Sequence, residues 1–225
     1  MRKKPIEIEN IERLMENKGV EFRDFKLTNV EVRKNEDGSE SLTVEGVPCV
    51  FDVETVLYKG KYWEFREKID AKAFDEADMS DVIFNYNHGG RVFARTRNNS
   101  LRLDVTSKNL KMKAELRKND RGHEELYNDI SSGLIDRMSF AFTVKESKME
   151  EIESTEERNV EIRTITKIDK LYDVSAVDIP SYDATSISAR RFFNAESKEK
   201  EAERLVQKRK LEIAKAKYFY FGGKK

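Results

Sequence analysis

The sequence contains few of the residues that build disulfide-stabilised or metal-stabilised folds. It has one cysteine, Cys49, among 225 residues, which excludes an intramolecular disulfide and fits a reducing compartment. Its two histidines, His88 and His123, add too few nitrogen ligands for a structural zinc site. Metal-dependent hydrolysis is therefore not expected, and the sequence predicts no cofactor.

Long apolar runs are also missing. No run approaches the roughly 18 residues that a membrane-spanning helix needs, and the first residues lack the apolar core of a signal peptide. We therefore expect a soluble, intracellular protein that does not bind a membrane. Hydrophobic residues make up 38% of the chain and charged residues another 38%, so part of the chain is expected to be solvated.

The charge is neutral overall but is divided unevenly. Residues 1–189 contain 31 basic and 38 acidic residues, whereas residues 190–225 contain 12 basic and 5 acidic ones. This tail is rich in helix formers but has little apolar surface, and it ends in an aromatic cluster at residues 218–221. A basic tail suggests nucleic-acid binding, but the body is acidic and has no stacking motif, so no specific nucleic-acid partner is predicted.

Short segments rich in β-branched and aromatic residues, separated by turn signals, indicate a mainly β protein. We predict an α+β, mainly β fold: a small antiparallel β-barrel of about nine strands with two or three helices packed outside it. The expected strands are a hairpin of residues 20–32 and 41–53, then 62–69, 82–86, 92–96, 101–106, 110–117, 136–146, 160–167 and 171–179. Helices are expected at residues 5–18, 71–77 and 123–132, and an acidic loop at 150–159.

Three short motifs offer a histidine, a serine and a carboxylate, in chain order. They are Asn85–His88, Arg137–Phe142 and Leu171–Val177. A serine hydroxyl is a weak nucleophile until a base takes its proton, and an imidazole acts as that base when a third group orients it. His88, Ser139 and Asp173 are candidates for these three roles.

Strand alternation places Ser139 on the less apolar face of its strand, beside the small Ala141. A serine there has room for a substrate, but it could equally be a structural serine that bonds a neighbouring strand. His88 is expected at a loop edge before a Gly89–Gly90 turn, and is favoured over His123, which we expect to be solvated.

The same alternation places Asp173 on a face with Leu171 and Ser175, so its carboxylate should point inward. Burial of a charge is costly unless the charge is paired. An imidazole N–H would satisfy it, and so would a structural ion pair with an arginine or lysine. A Cys49–His88 pair is not favoured, because nothing around Cys49 would activate a thiol.

Together these residues resemble the tailed-phage prohead proteases, a family similar in fold to the herpesvirus assemblins. The resemblance covers roughly residues 41–190. It is carried by these blocks: Gly46–Val53, Asn87–His88, Ala94–Thr96 with Ser100–Leu103, Ile135–Phe142, and Asp173–Ser175 with Pro180 and Ala184.

The resemblance implies a serine endopeptidase that trims the major capsid protein and the scaffold protein or scaffold domain, and also itself, during virion assembly. His88 then matches the family histidine, Ser139 the nucleophile, and Asp173 the acidic position. The expected location is the host cytoplasm, inside the assembling prohead, and a homo-oligomer is expected. Residues 1–19 would be an N-terminal segment, 20–189 the prohead protease domain, and 190–225 a basic helical tail that docks to partners and is removed.

Two positions depart from the family pattern. Ala141 replaces the usual glycine, and the arginine pair that helps to hold the oxyanion in the herpesvirus enzymes is absent near Ser181–Tyr182. These departures support an alternative, an inert capsid-assembly scaffold or binding protein with the same fold.

Overall fold

The computed structural model describes residues 20–26, 31–33, 42–60, 62–154, 158–178 and 201–215. These residues form eleven strands and two α-helices: β1 Val20–Lys26, β2 Glu31–Arg33, β3 Leu42–Val50, β4 Thr55–Lys59, β5 Trp63–Ile69, β6 Ile83–Tyr86, β7 Gly89–Arg95, β8 Leu101–Val105, β9 Asn109–Leu116, α1 Arg121–Ser131, β10 Arg137–Ser154, β11 Arg158–Val177, and α2, residues 201–215. The prediction of a mainly β chain with few helices is confirmed. The predictions for residues 5–18, 181–182 and 218–221 lie outside the described residues.

The strands form two sheets. The larger one has the order β1-β10-β11-β5-β4, with β6 paired to β11 and β7, and the smaller one has the order β2-β3-β9-β8. Most pairs are antiparallel, but β11 runs parallel to both β5 and β6. Within the described ranges the pairing closes neither sheet on itself, so the barrel stays a prediction.

The hydrophobic core contains one face of β10 and β11, together with residues of β3, β9 and α1. Phe140 and Phe142 are fully buried and stack with their ring centroids 4.8 Å apart. Complete burial of such a side chain stabilises the fold by about 1.5–3 kcal/mol. Leu126 and Ile130 of α1 are spaced four apart and join the same core, which explains why the predicted helix forms here. No helix among the described residues is long and apolar enough to cross a membrane.

Two predictions for the N-terminal half of the chain, a hairpin and a short helix, are wrong. The expected hairpin of residues 20–32 with 41–53 survives only as the short pair of β2 with β3, because β1 joins β10 in the other sheet. Residues 71–76 form successive turns rather than a helix, with Ala73 N–H donating to Asp70 O at 2.9 Å. Burial of Phe74 in the core holds these turns in place.

The long hairpin of β10 and β11 replaces a predicted acidic loop. Pairing continues from Arg137↔Val177 to Ser154↔Arg158, so most of residues 150–159 are strand, and the two predicted strands after them are one. The loop prediction failed because residues 145–152 carry exposed, mostly polar side chains. Their strand form depends on β11, whose Val160 and Ile162 are buried beside β5.

Candidate active site

His88 lies in the tight turn between β6 and β7. Tyr86 pairs with Gly89, so Asn87 and His88 are the two central residues of the hairpin turn. Their φ angles are 51° and 54°, and positive φ at both positions is the mark of a type I′ turn. The predicted Gly89–Gly90 turn is therefore wrong by two residues, since both glycines belong to β7.

Hydrogen bonds tie this turn to the end of β11. The Asn87 backbone N–H donates to Ala176 O at 2.9 Å, and the Asp178 backbone N–H donates to Asn87 Oδ1 at 3.3 Å. These bonds fix the His88 ring above the neighbouring strands β11 and β10. The position of the imidazole thus depends on a contact between residues far apart in sequence.

Ser139 lies on the face of β10 opposite the core, as predicted from alternation. Met138 and Phe140 belong to the core, whereas Ser139 pairs with Ser175 of β11 on the other face. On its other side, β10 pairs with β1, so Ser139 lies between two strands.

Asp173 reaches the same face through an irregularity in β11. Ala141 pairs with Asp173 and Phe142 pairs with Leu171, which leaves Tyr172 without a partner on β10. This β-bulge interrupts the alternation, so Leu171 faces the core while Asp173 faces Ser139. The prediction that Asp173 and Leu171 share a face is therefore wrong, because the bulge cannot be seen in the residue pattern.

The three predicted site residues are brought together in one hydrogen-bonded chain. His88 Nδ1 lies 2.8 Å from Asp173 Oδ1, and His88 Nε2 lies 2.6 Å from Ser139 Oγ. All three residues are buried, with exposed fractions of 8% for His88, 5% for Asp173 and 0% for Ser139. Because a carboxylate only accepts, Nδ1 carries the proton, and Nε2 is left to accept the hydroxyl proton of Ser139.

The structure adds contacts that the sequence did not reveal. Phe22 of β1 packs edge-on against the His88 ring, with centroids 4.6 Å apart. Ser139 Oγ also lies 3.1 Å from the Arg23 backbone carbonyl oxygen. The side chains of Ser175 and Asn85 meet behind Asp173. The sequence signal for this last pair is one polar residue within each of two otherwise largely apolar segments, Ile83–Tyr86 and residues 174–177.

The other candidate residues are in different surroundings. His123 was expected to be solvated but is fully buried, and its Nδ1 accepts the Arg117 backbone N–H at 3.0 Å. Burial lowers the pKa of His123 below its ordinary value. Burial and the nearby Glu67 raise the pKa of the Cys49 thiol well above its usual range, which disfavours a reactive thiolate.

Comparison with known proteins agrees with the sequence motifs. Residues 28–200 match the family model described as Caudovirus prohead serine protease. No curated protein matches the chain. Among solved structures, the bacteriophage T4 capsid assembly protease gp21 is similar with 11% sequence identity and a TM-score of 0.40, over 70% of this chain and 96% of that chain. A likeness this distant carries no argument about the site.

Proposed function

The chain belongs to the family of caudovirus prohead serine proteases, and from that premise we propose that Ser139, His88 and Asp173 are its catalytic triad. The observation that supports this assignment is the buried chain of contacts from carboxylate to imidazole to hydroxyl. In an inert scaffold the same contacts would serve only to satisfy three buried polar groups. Membership of a protease family favours the enzyme.

The geometry suits acyl transfer. His88 Nε2 takes the hydroxyl proton as Ser139 Oγ attacks the scissile carbonyl carbon, and the imidazolium then gives that proton to the departing amine. Asp173 stabilises the imidazolium and keeps the proton on Nδ1. Water then attacks the acyl-enzyme with His88 again as the base, which releases the acid and restores Ser139.

The site is closed in this structure, so substrate binding requires a movement of β1. Ser139 is fully buried, and its hydroxyl has one proton for which His88 Nε2 and the Arg23 carbonyl compete. A substrate carbonyl can approach Oγ only when the Arg23 carbonyl moves away. We therefore take the described arrangement as a resting state of the protease.

Charged side chains hold β1 in that position. Arg163 of β11 donates to both carboxylate oxygens of Glu21, at 2.7 and 2.9 Å, and Arg23 Nη2 donates to the buried Glu67 at 2.7 Å. Burial acts to raise the pKa of Glu21, but hydrogen bonds and charge from Arg163 and Arg23 outweigh it and lower that pKa overall.

The substrates, location and tail follow as further parts of the proposal. Capsid and scaffold proteins, and the chain itself, would be cleaved in the assembling prohead inside the host cell. Homo-oligomer formation and an assemblin-like barrel are proposed on the family resemblance alone. Every residue of α2 is exposed, which supports a separable docking tail, although the Arg204 guanidinium lies over the Tyr62 ring at 4.9 Å.

A fluorophosphonate probe tests the triad without knowledge of the cleavage site. We expect the full chain to be labelled on Ser139, with no label in Ser139→Ala and with both proteins melting at similar temperatures. Ser147→Ala is the matched control, since Ser147 is an exposed serine of the same strand. Equal labelling of Ser139→Ala and the unsubstituted protein would refute the assignment.

Weakening the attachment of β1 tests the closed state. Arg163→Gln removes the bidentate contact with Glu21, so we expect a several-fold faster labelling rate. Arg121→Gln is the control, because Arg121 makes a single exposed ion pair with Glu125 at 2.7 Å. If Arg163→Gln is folded and is labelled no faster than this control, β1 does not limit access.

A further inference from the structure

Two polar side chains lie directly behind Asp173. Ser175 follows Asp173 by two residues on β11, and Asn85 pairs with Ser175 from the neighbouring strand β6. Ser175 Oγ lies 2.9 Å from Asp173 Oδ1 and 3.2 Å from His88 Nδ1, and it contacts the side-chain amide of Asn85. Both residues are buried, at 0% exposure for Ser175 and 3% for Asn85.

Proton counting sets the direction of these hydrogen bonds. Asp173 Oδ1 accepts the Nδ1 proton of His88, and as a carboxylate oxygen it can only accept. The single hydroxyl proton of Ser175 must therefore point at Asp173, since two facing acceptors in a buried site would be costly. The structure places Asn85 Oδ1 against Ser175 Oγ, which leaves two facing acceptors once the hydroxyl proton points at Asp173. A 180° rotation of the Asn85 amide turns its NH₂ group toward Oγ, so that the amide donates to Ser175.

The result is a directed chain of hydrogen bonds. With the amide rotated in this way, Asn85 donates to Ser175, Ser175 donates to Asp173, and Asp173 accepts from His88. In such a chain each bond polarises the next, and each buried group depends on its neighbour for orientation. Oδ1 of Asp173 is thereby fixed from two sides, by the imidazole and by the serine.

We propose that Ser175 and Asn85 are positioning residues of the protease, which hold the Asp173 carboxylate on His88 Nδ1. The inference rests on the proposed triad and extends it by two residues. Neither side chain has a hydrogen bond to Ser139 Oγ, so their effect on catalysis passes through the contacts of Ser175 with Asp173 Oδ1 and His88 Nδ1. Asn85 acts only through the Ser175 hydroxyl. A residue that merely supported the fold would not depend on that hydroxyl, so this dependence distinguishes the two roles.

The experiment measures the rate of fluorophosphonate labelling against pH in the full chain. Ser175→Ala removes one hydrogen bond to a charged group, and we expect labelling to slow roughly ten-fold. With one donor fewer, the carboxylate binds the imidazolium more strongly, so more base is needed to free Nε2. The acid limb of the rate profile should then lie at higher pH than that of the unsubstituted protein.

A double-mutant cycle tests the order of the chain. Asn85→Ala alone should slow labelling several-fold, but it should have little further effect in Ser175→Ala, where the hydroxyl that it orients is gone. Ser175→Cys keeps the volume but replaces the hydroxyl by a weaker donor, so its rate and acid limb should fall between those of serine and alanine. Ser147→Ala again serves as the serine-to-alanine control.

The outcomes separate this inference from the proposed function. Labelling that persists in Ser139→Ala refutes the triad itself. If Ser139→Ala is silent while folded Ser175→Ala matches Ser147→Ala in rate and in acid limb, only the positioning role is refuted. Should Ser175→Ala fail to fold, the same comparison is made with Ser175→Cys. An Asn85→Ala effect of equal size with and without the Ser175 hydroxyl also refutes it.

Discussion

The two histidines of the chain are packed in similar ways but have different partners at their ring nitrogens. Both are buried, and each ring meets a phenylalanine edge-on: Phe22 lies 4.6 Å from His88 at 67°, and Phe93 lies 5.1 Å from His123 at 68°. The difference that matters for catalysis is the partner of Nδ1. In His88 this atom faces the Asp173 carboxylate, whereas in His123 it accepts the Arg117 backbone N–H.

The partner at Nδ1, rather than burial, decides what each ring can do. An acceptor at Nδ1 leaves Nε2 of His88 free to take a proton and stabilises the charge that follows. A backbone N–H that donates to Nδ1 of His123 requires that atom to stay unprotonated, so this ring is held neutral. Burial lowers the pKa of His123 in the same direction, with Arg117 and Arg91 adding to the effect and Asp120 opposing it.

Replacement of each histidine by asparagine should have its most unequal effect on activity. Asparagine tolerates the positive φ of residue 88 and can donate to Asp173, but it cannot act as a base. We expect His88→Asn to slow fluorophosphonate labelling by about a thousand-fold or more, because nucleophile and base act as a unit. His123→Asn should label within a few-fold of the unsubstituted protein. Comparable loss in both variants would remove the distinction between the two rings.

The two substitutions should affect stability in the opposite order, with the larger loss in His123→Asn. His123 is a residue of α1 that packs against Phe93 with no exposed surface, so His123→Asn leaves a void and an imperfectly paired amide. We expect a loss of roughly 1–3 kcal/mol in the free energy of unfolding, measured by urea denaturation. His88→Asn should lose less, since its turn and a donor to Asp173 are kept. A larger loss in His88→Asn would mean that the site, rather than α1, needs its histidine for folding.

Acidification should reveal a smaller difference, in the part of the folding stability that depends on His123. The pKa of His123 is lowered on folding, so the unfolded chain binds more protons between that lowered value and the ordinary one, about 6.5. The stability that neutral His123 provides is therefore present above about pH 6.5 and is lost as the pH falls through this window.

The measurement is the melting temperature between pH 7.5 and 5. The decrease on acidification should be shallower in His123→Asn than in the unsubstituted chain, while the carboxylates affect both proteins alike. Parallel curves would show that His123 does not contribute to the acid sensitivity of the fold.

Local pattern was sufficient to predict some parts of the molecule. The placement of Ser139 follows from alternation in β10, and α1 follows from the spacing of Leu126 and Ile130. Both depend on neighbours within a few residues. The choice of His88 over His123 rested on glycines near the turn, although the turn itself is formed by Asn87 and His88.

The predictions that were wrong depend on contacts between segments far apart in the sequence. Burial of His123 results from packing of α1 against other elements, and the partner of β1 is a strand more than a hundred residues away. The prediction that Leu171 shares a face with Asp173 was wrong because the bulge at Tyr172 depends on how β10 and β11 pair. The residue pattern of either strand alone does not indicate how the two strands pair.

The unpaired Tyr172 determines which sequence changes the site can tolerate. Because Tyr172 is the extra residue of a bulge, Leu171 faces the core while Asp173, two positions later, meets His88 on the opposite face. Substitution at Tyr172 leaves this arrangement intact, and deletion of Tyr172 would make Leu171 and Asp173 neighbours in a regular ladder, where alternation also places them on opposite faces. The contact of Asp173 with His88 can therefore survive the loss of one residue at this point of β11, although a regular strand and a bulged strand differ in local twist.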